Sequence, residues 1–233
     1  MNQGGTGRKL LRKLKRRLKP HLHRPDLRLA HTVLGSSYGG WPVVANSLSK
    51  DSLVYSFGVG EDISFDRALI EAFGCRIKAF DPTPRCIDWV ARQDLPEGMT
   101  FVPLGLSDRT ETLVFTAPER DDHVSYSVSG QTGGGERVEL PVRSLAEILE
   151  SEGDREIDLL KMDIEGSEYV AVPRLLEDGI RPRQLCVEFH HGIYDYTPDQ
   201  TRAAVDGLRA AGYGLYHVSD TGREYGFVLR STL

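Results

Sequence analysis

From residue 52 onward the apolar positions alternate between two periods. Residues 53–57 (LVYSF) form a short apolar run of strand type. Phe65, Ala68, Leu69, Ala72 and Phe73 then recur at i, i+3, i+4, i+7 and i+8, which predicts an amphipathic helix ending at Gly74. The pattern repeats with a strand over 76–80, a helix over 84–92, a strand over 100–106 and an extra strand over 112–116. Residues 118–136 show no period and contain Gly133, Gly134 and Gly135, so they are expected to leave the sheet as an excursion. Ser144 and Glu147 form a capping box for a helix stopped near Gly153. Strands over 157–162 and 184–189 follow. Thr197-Pro198-Asp199-Gln200 supplies a second capping box, with proline at the first helical position. Upstream, the glycines, serines and proline of residues 31–44 predict short extended pieces joined by turns, with Tyr38 and Trp41 sealing one edge.

Strand–helix alternation of this kind predicts an α/β fold, a mostly parallel sheet with helices on both faces. The end differs, because strands over 214–218 and 225–229 are joined by a short polar turn and must run antiparallel. With 233 residues, 39% of them apolar, the chain suits one domain with an extension. Cys75, Cys86 and Cys186 are too few and too scattered for a disulfide framework, and are expected as buried thiols in a reducing compartment. No apolar run approaches the ~18 residues of a transmembrane helix.

Charge divides the chain at about residue 28. Residues 1–28 hold ten Lys or Arg against one acid, Asp26, whereas the rest is acidic overall. The expected organisation is a basic amphipathic arm (1–28) and a single domain (29–233). Within RKLLRKLKRRLK (8–19), Leu10, Leu14 and Leu18 make a narrow apolar stripe that ends before Pro20. Such a helix suits an anionic membrane surface or an acidic partner, or it is a solvated leader. No aromatic residues interleave its charges, so nucleic acid is not expected. The corresponding location is cytoplasmic, with peripheral contact on the inner membrane face.

The chemistry begins where the first core strand ends, at Phe57-Gly58-Val59-Gly60-Glu61-Asp62. Glycines between a strand and a helix let backbone approach a ligand, and the helix start offers free N–H groups. Asp81 lies 23 residues after Gly58, at the end of the second strand, where an acid accepts the ribose hydroxyls of an adenosine-containing cofactor. Asp62 stands where a dinucleotide fold needs its third glycine. With Glu61 it would repel a pyrophosphate and attract an ammonium, which favours S-adenosylmethionine over NAD; Asp62 also suits a helix cap.

The set GVGEDISFD (58–66), AFDPTP (79–84), GLSD (105–108), DLLKMDIEGSEY (158–169) and VEFHH (187–191) resembles the FkbM-type branch of class I S-adenosylmethionine-dependent methyltransferases. The resemblance spans roughly residues 38–191. It implies a Rossmann-like, mostly parallel seven-stranded sheet with a C-terminal antiparallel hairpin. It implies O-methylation of a hydroxyl on a sugar, a glycosylated acceptor or another natural product. It also implies Gly58 and Gly60 beneath the methionine part, Asp81 on the ribose, and Ser107 and Asp108 near the adenine. Ser56 departs from the pattern, since many class I enzymes carry an acid there.

A third group follows the strand over 157–162. Asp163 and Glu165 sit at its carboxyl end, and Glu188 and His190 end the next strand, so the four are candidates for one catalytic spot. Asp163, Glu188 and His190 suit Mg²⁺ or Mn²⁺, which would acidify a bound hydroxyl. Without a metal, His190 would act as general base, oriented by Asp163 or Glu188. Glu168 reads as an acid complementing the dipole of the next helix. Tyr194 and Tyr196 suit an acceptor pocket. Two other classes share this pattern, an NAD-dependent oxidoreductase and a non-catalytic scaffold docking through its arm.

Overall fold

The computed structural model describes residues 21–116, 137–193 and 195–233. The predicted helix over 8–19, the excursion over 118–136 and Tyr194 lie outside the described residues.

A seven-stranded sheet forms the centre. Its strands are β3 (Leu53–Phe57), β4 (Arg76–Phe80), β5 (Met99–Val102), β9 (Leu159–Met162), β10 (Gln184–Glu188), β11 (Tyr213–Val218) and β12 (Glu224–Leu229), in the order β11-β12-β10-β9-β3-β4-β5. All neighbours pair in parallel except β12, which is antiparallel to both β10 and β11. This is the predicted sheet and terminal hairpin. Helices α1 (Ser64–Phe73), α2 (Pro84–Val90), α3 (Leu145–Glu152), α4 (Glu168–Glu177) and α5 (Pro198–Ala210) connect the strands. Both capping boxes form, at Ser144 with Glu147 and at Thr197 with Gln200.

Alternation along each strand divides the core. Tyr55, Phe57, Leu160 and Met162 pack in one cluster, whereas Val54, Leu159 and Ile77 pack in the other with α1 and Trp41. The strand expected over 100–106 breaks in two. Pro103 has no N–H to continue the ladder, and β6 (Gly105–Leu106) joins a separate sheet with β7 (Glu111–Thr116) and β8 (Arg137–Arg143), in the order β6-β8-β7. The sequence pattern did not predict β8, whose partner strands come from outside its own alternation.

A small hairpin, β1 (His31–Leu34) with β2 (Trp41–Val44), covers the α1 side. Trp41 is buried as expected. Tyr38 is not: it is 84% exposed and stands at the mouth of the cleft described below. The physical cause is the turn, where the Tyr38 and Gly39 N–H groups donate to Ser36 Oγ and fold the loop outward. The end of the arm already belongs to the globule. The Asp26 and Leu27 N–H groups donate to the Leu215 carbonyl, and Arg209 grips both oxygens of Asp26. All three cysteines are free and buried. Among the described residues no helix is long and apolar enough to cross a membrane.

Candidate active site

The carboxyl ends of β3, β4 and β9 open into a cleft. Phe57, Gly58, Gly60, Glu61, Asp62 and Asp81 line it, so six of the eight predicted cofactor residues meet there. Gly58 and Gly60 take φ of 80° and 58°, a region that suits glycine. Gly58 is also a close contact, since a Cβ there would lie 1.7 Å from the Asp163 carbonyl oxygen. The Gly60 side is open, with nothing within 4 Å of such an atom. Asp81 ties the turn to its own strand end: Oδ2 accepts the Gly60 N–H at 3.0 Å, and Oδ1 accepts the N–H and hydroxyl of Thr83. With the Cys86 thiol beside it, these contacts take most of the about four acceptor positions of the carboxylate, so a ribose hydroxyl would have to share or displace one of them. Phe80, Pro82, Leu106, Phe115 and Val142 give the cleft an apolar side suited to a flat base.

The other predicted members differ in detail. Glu61 is held by Arg85 of α2 through two contacts of 2.9 Å, which keeps its carboxyl below the ordinary range. Asp62 accepts from Ser36 Oγ and from the Ser64 N–H, so it both anchors the Tyr38 loop and supports the start of α1. Burial alone would raise its pKa, but those hydrogen bonds outweigh burial and lower it. Ser107 and Asp108 do not line the cleft. They line a neighbouring hollow with Arg109, Tyr169, Tyr196 and Gln200, because the chain has crossed into the small sheet by then. Tyr196 packs under Gly166 and 4.8 Å from the Tyr169 ring.

The acid cluster forms at the same end of the sheet. Asp163, Glu165 and His190 bring ligand atoms within 4.8 Å of one another. Glu165 adopts φ 52°, rare for a residue with a side chain, and the following Gly166 has φ 106°. His190 Nε2 lies 3.3 Å from Glu165 and 3.8 Å from Asp163. Its Nδ1 lies 3.0 Å from Glu168 Oε1, which also accepts the His190 backbone N–H. Glu168 Oε2 accepts the Gly166 N–H. Glu168 opens α4 as expected, and it is fully buried, so that besides complementing the helix dipole it organises the cluster. Its position at a helix start gave no signal of this, since His190 comes from a strand end 22 residues away.

Burial works against a charged His190, but hydrogen bonds to Glu165 and Glu168 prevail and push it up to about 11. With Glu165 on one ring nitrogen and Glu168 on the other, His190 sits as a donor between two carboxylates, and its use as general base requires that proton to leave first. Burial and the neighbouring Glu165 charge raise Asp163. Burial and Asp163 push Glu188 up to about 8. Glu188 lies outside the converging three, at the end of β10 opposite Glu224, so the expected metal set of Asp163, Glu188 and His190 becomes Asp163, Glu165 and His190.

Two further residues were missed. Asp66 of α1 is 2% exposed and hydrogen-bonded by Ser56. It returns an acid to the place where Ser56 departs from the expected pattern. Lys161 of β9 is buried beneath the glycine turn, with its Nζ on the Gly58 carbonyl oxygen.

A strand-end glycine turn, an acid on the second strand and an acid cluster beside them meet at one end of the sheet, as the motifs led one to expect. The FkbM methyltransferase domain matches residues 42–215, and the chain belongs to that family. That match to a methyltransferase domain speaks against the NAD-dependent alternative. A methyltransferase FkbM from Methylobacillus flagellatus KT is 16% identical, covering 78% of this chain and 44% of that one, with a TM-score of 0.48. The chain therefore spans under half the length of that relative. Aeropyrum pernix fibrillarin with bound S-adenosyl-L-methionine is 10% identical over 80% of this chain and 68% of that one, with a TM-score of 0.41. The Burkholderia thailandensis 1,6-didemethyltoxoflavin-N1-methyltransferase, bound to S-adenosylhomocysteine, is 15% identical over 76% and 69%, with a TM-score of 0.33. No curated protein matches the chain.

Proposed function

We propose that the protein methylates a hydroxyl of a sugar, a glycosylated compound or a related natural product. The observation that carries this reading is the cluster of Asp163, Glu165 and His190 at the lip of the cofactor cleft. When bound, S-adenosylmethionine supplies a methyl group already activated by its sulfonium. The residues then have to align an oxygen and receive its proton. Asp163 is the best placed acceptor, since it lines the cleft and its raised pKa makes it a stronger base than a surface carboxylate. His190 holds Glu165 and Glu168 in place. Asp81 faces the ribose, the Gly58–Gly60 turn lies beneath the methionine part, and Tyr38 stands where an acceptor enters.

The test is release of S-adenosylhomocysteine on a panel of sugar and glycosylated acceptors, with the methylated atom located by NMR. Transfer to oxygen, reduced about 10²–10⁴-fold in Asp163→Asn, is the expected result. Transfer to nitrogen alone would overturn the hydroxyl assignment. Absence of S-adenosylhomocysteine binding would revive the scaffold alternative.

The three converging ligand atoms favour a second reading in which Mg²⁺ or Mn²⁺ sits among Asp163, Glu165 and His190. Glu168 on His190 Nδ1 is the outer partner such a site uses. The ion would lower the pKa of an acceptor hydroxyl, and it requires His190 Nε2 to give up its proton. Titration of Mn²⁺ followed by electron paramagnetic resonance separates the two: micromolar binding lost in Asp163→Asn favours the metal. The ten basic residues of 1–28 are read in the same way as a contact for anionic membrane, tested by liposome co-sedimentation of the full chain with and without acidic lipid.

A further inference from the structure

The cofactor cleft is lined by Glu61, Asp62, Asp81, Asp163 and Glu165 and, among the described residues, by no Lys, Arg or His. Among the described residues of the lining, the carboxylate of a bound methionine moiety therefore meets no cationic side chain. The nearest buried ammonium lies one peptide behind the wall. Lys161 stands in register with Ser56 of β3 and Cys186 of β10, on the sheet face that packs against Trp41. Its side chain is 7% exposed. The Nζ lies 5.3 Å over the Trp41 ring, 4.0 Å from Asp163 Oδ2, and donates to the Gly58 carbonyl oxygen. A lysine among apolar side chains is costly to bury, and a methionine would fill the same space at less cost. Its position calls for a polar task.

The Gly58 carbonyl belongs to the same peptide as the Val59 N–H. Two neighbouring turn amides are taken: Gly58 N–H by the Phe80 carbonyl and Gly60 N–H by Asp81. The Val59 N–H has no hydrogen-bond partner among the described residues. A cation on a peptide oxygen polarises that peptide and strengthens its N–H as a donor. The geometry points to Lys161 as a positioning residue that supports the cofactor's methionine carboxylate through the Gly58–Val59 peptide. This rests on the cofactor class of the family and deepens it, because it names the cation that an otherwise acidic cleft uses for an anionic group.

Two ligands separate this role from a structural one. S-adenosylhomocysteine carries the amino-acid carboxylate, whereas 5′-methylthioadenosine keeps the nucleoside and lacks it. Both are titrated calorimetrically into the wild-type chain and Lys161→Met, with thermal melting as a check on folding. The expected result is an about tenfold weaker affinity for S-adenosylhomocysteine in Lys161→Met, with 5′-methylthioadenosine unchanged within about twofold. Equal losses for both ligands would mean that Lys161 only shapes the turn, and no loss for either would also overturn the proposal. Should Lys161→Met not fold, Lys161→Gln keeps a donor for the Gly58 carbonyl without the charge and must show the same selective loss. Failure of wild-type chain to bind either ligand would instead strike the cofactor reading itself.

Discussion

Replacing Asp66 by asparagine is expected to stabilise the protein at neutral pH. The carboxyl is 2% exposed, and its Oδ1 has no hydrogen-bond partner among the described residues. Burial raises its pKa from 3.8 to about 6, even though Lys161 and Ser56 pull the other way. The folded state therefore binds the proton more tightly than the unfolded chain. Stability contributed by the neutral acid is complete below about pH 4 and is lost as pH rises toward 6. A shift of about two units corresponds to about 3 kcal/mol at pH 7.5. The amide that replaces the carboxyl does not ionise, but it cannot pair all of its hydrogens in that site, so a net gain of about 1–2 kcal/mol is expected. For a chain of this size that is about 4 °C in Tm. Urea melts of both proteins at pH 7.5 and pH 4 make the measurement. The gain should appear at pH 7.5 and vanish at pH 4. An equal difference at both values, or a loss at pH 7.5, would refute the argument from burial.

Gly58→Ala should lower stability by about 2–4 kcal/mol, because a methyl group there meets the Asp163 carbonyl at 1.7 Å with φ at 80°; chemical melts check this. Asp81→Asn should weaken S-adenosylhomocysteine binding about tenfold by calorimetry, since it replaces a charged acceptor by a neutral one. Glu168→Gln should cost about 2–4 kcal/mol, as it removes a fully buried charge facing His190, and NMR titration should find the imidazole pKa well below about 11.

Much of the fold was legible because its signals are local. The strands over 53–57 and 76–80 match the observed bounds residue for residue, and both capping boxes appear where a serine or threonine precedes a glutamate or glutamine by three. The glycine turn and Asp81 were legible for the same reason: a φ of 80° at Gly58 and a strand-end carboxylate follow from residue type and spacing. The small sheet was not, since β6, β7 and β8 pair across the segment of 117–136 and across the strand break at Pro103. Tyr38 and Trp41 read alike in the sequence, and only the Ser36 turn sends one outward and the other into the core.

The sequence by itself determined the α/β class, the order of the motifs and the glycine turn with its strand-end acid, because periodicity, caps and glycine turns act over a few residues. Tertiary structure alone decided which charges meet. Glu168 and His190 become partners only when β10 lies beside β9, and their pairing raises the pKa of the expected base. Asp66 stands in for the acid missing at Ser56 only because α1 packs on that face of β3. Lys161 reaches the Gly58 carbonyl only through the register of β9 with β3. Protonation and polarity depend on distances through a low-dielectric interior, and those distances join residues that the chain keeps far apart.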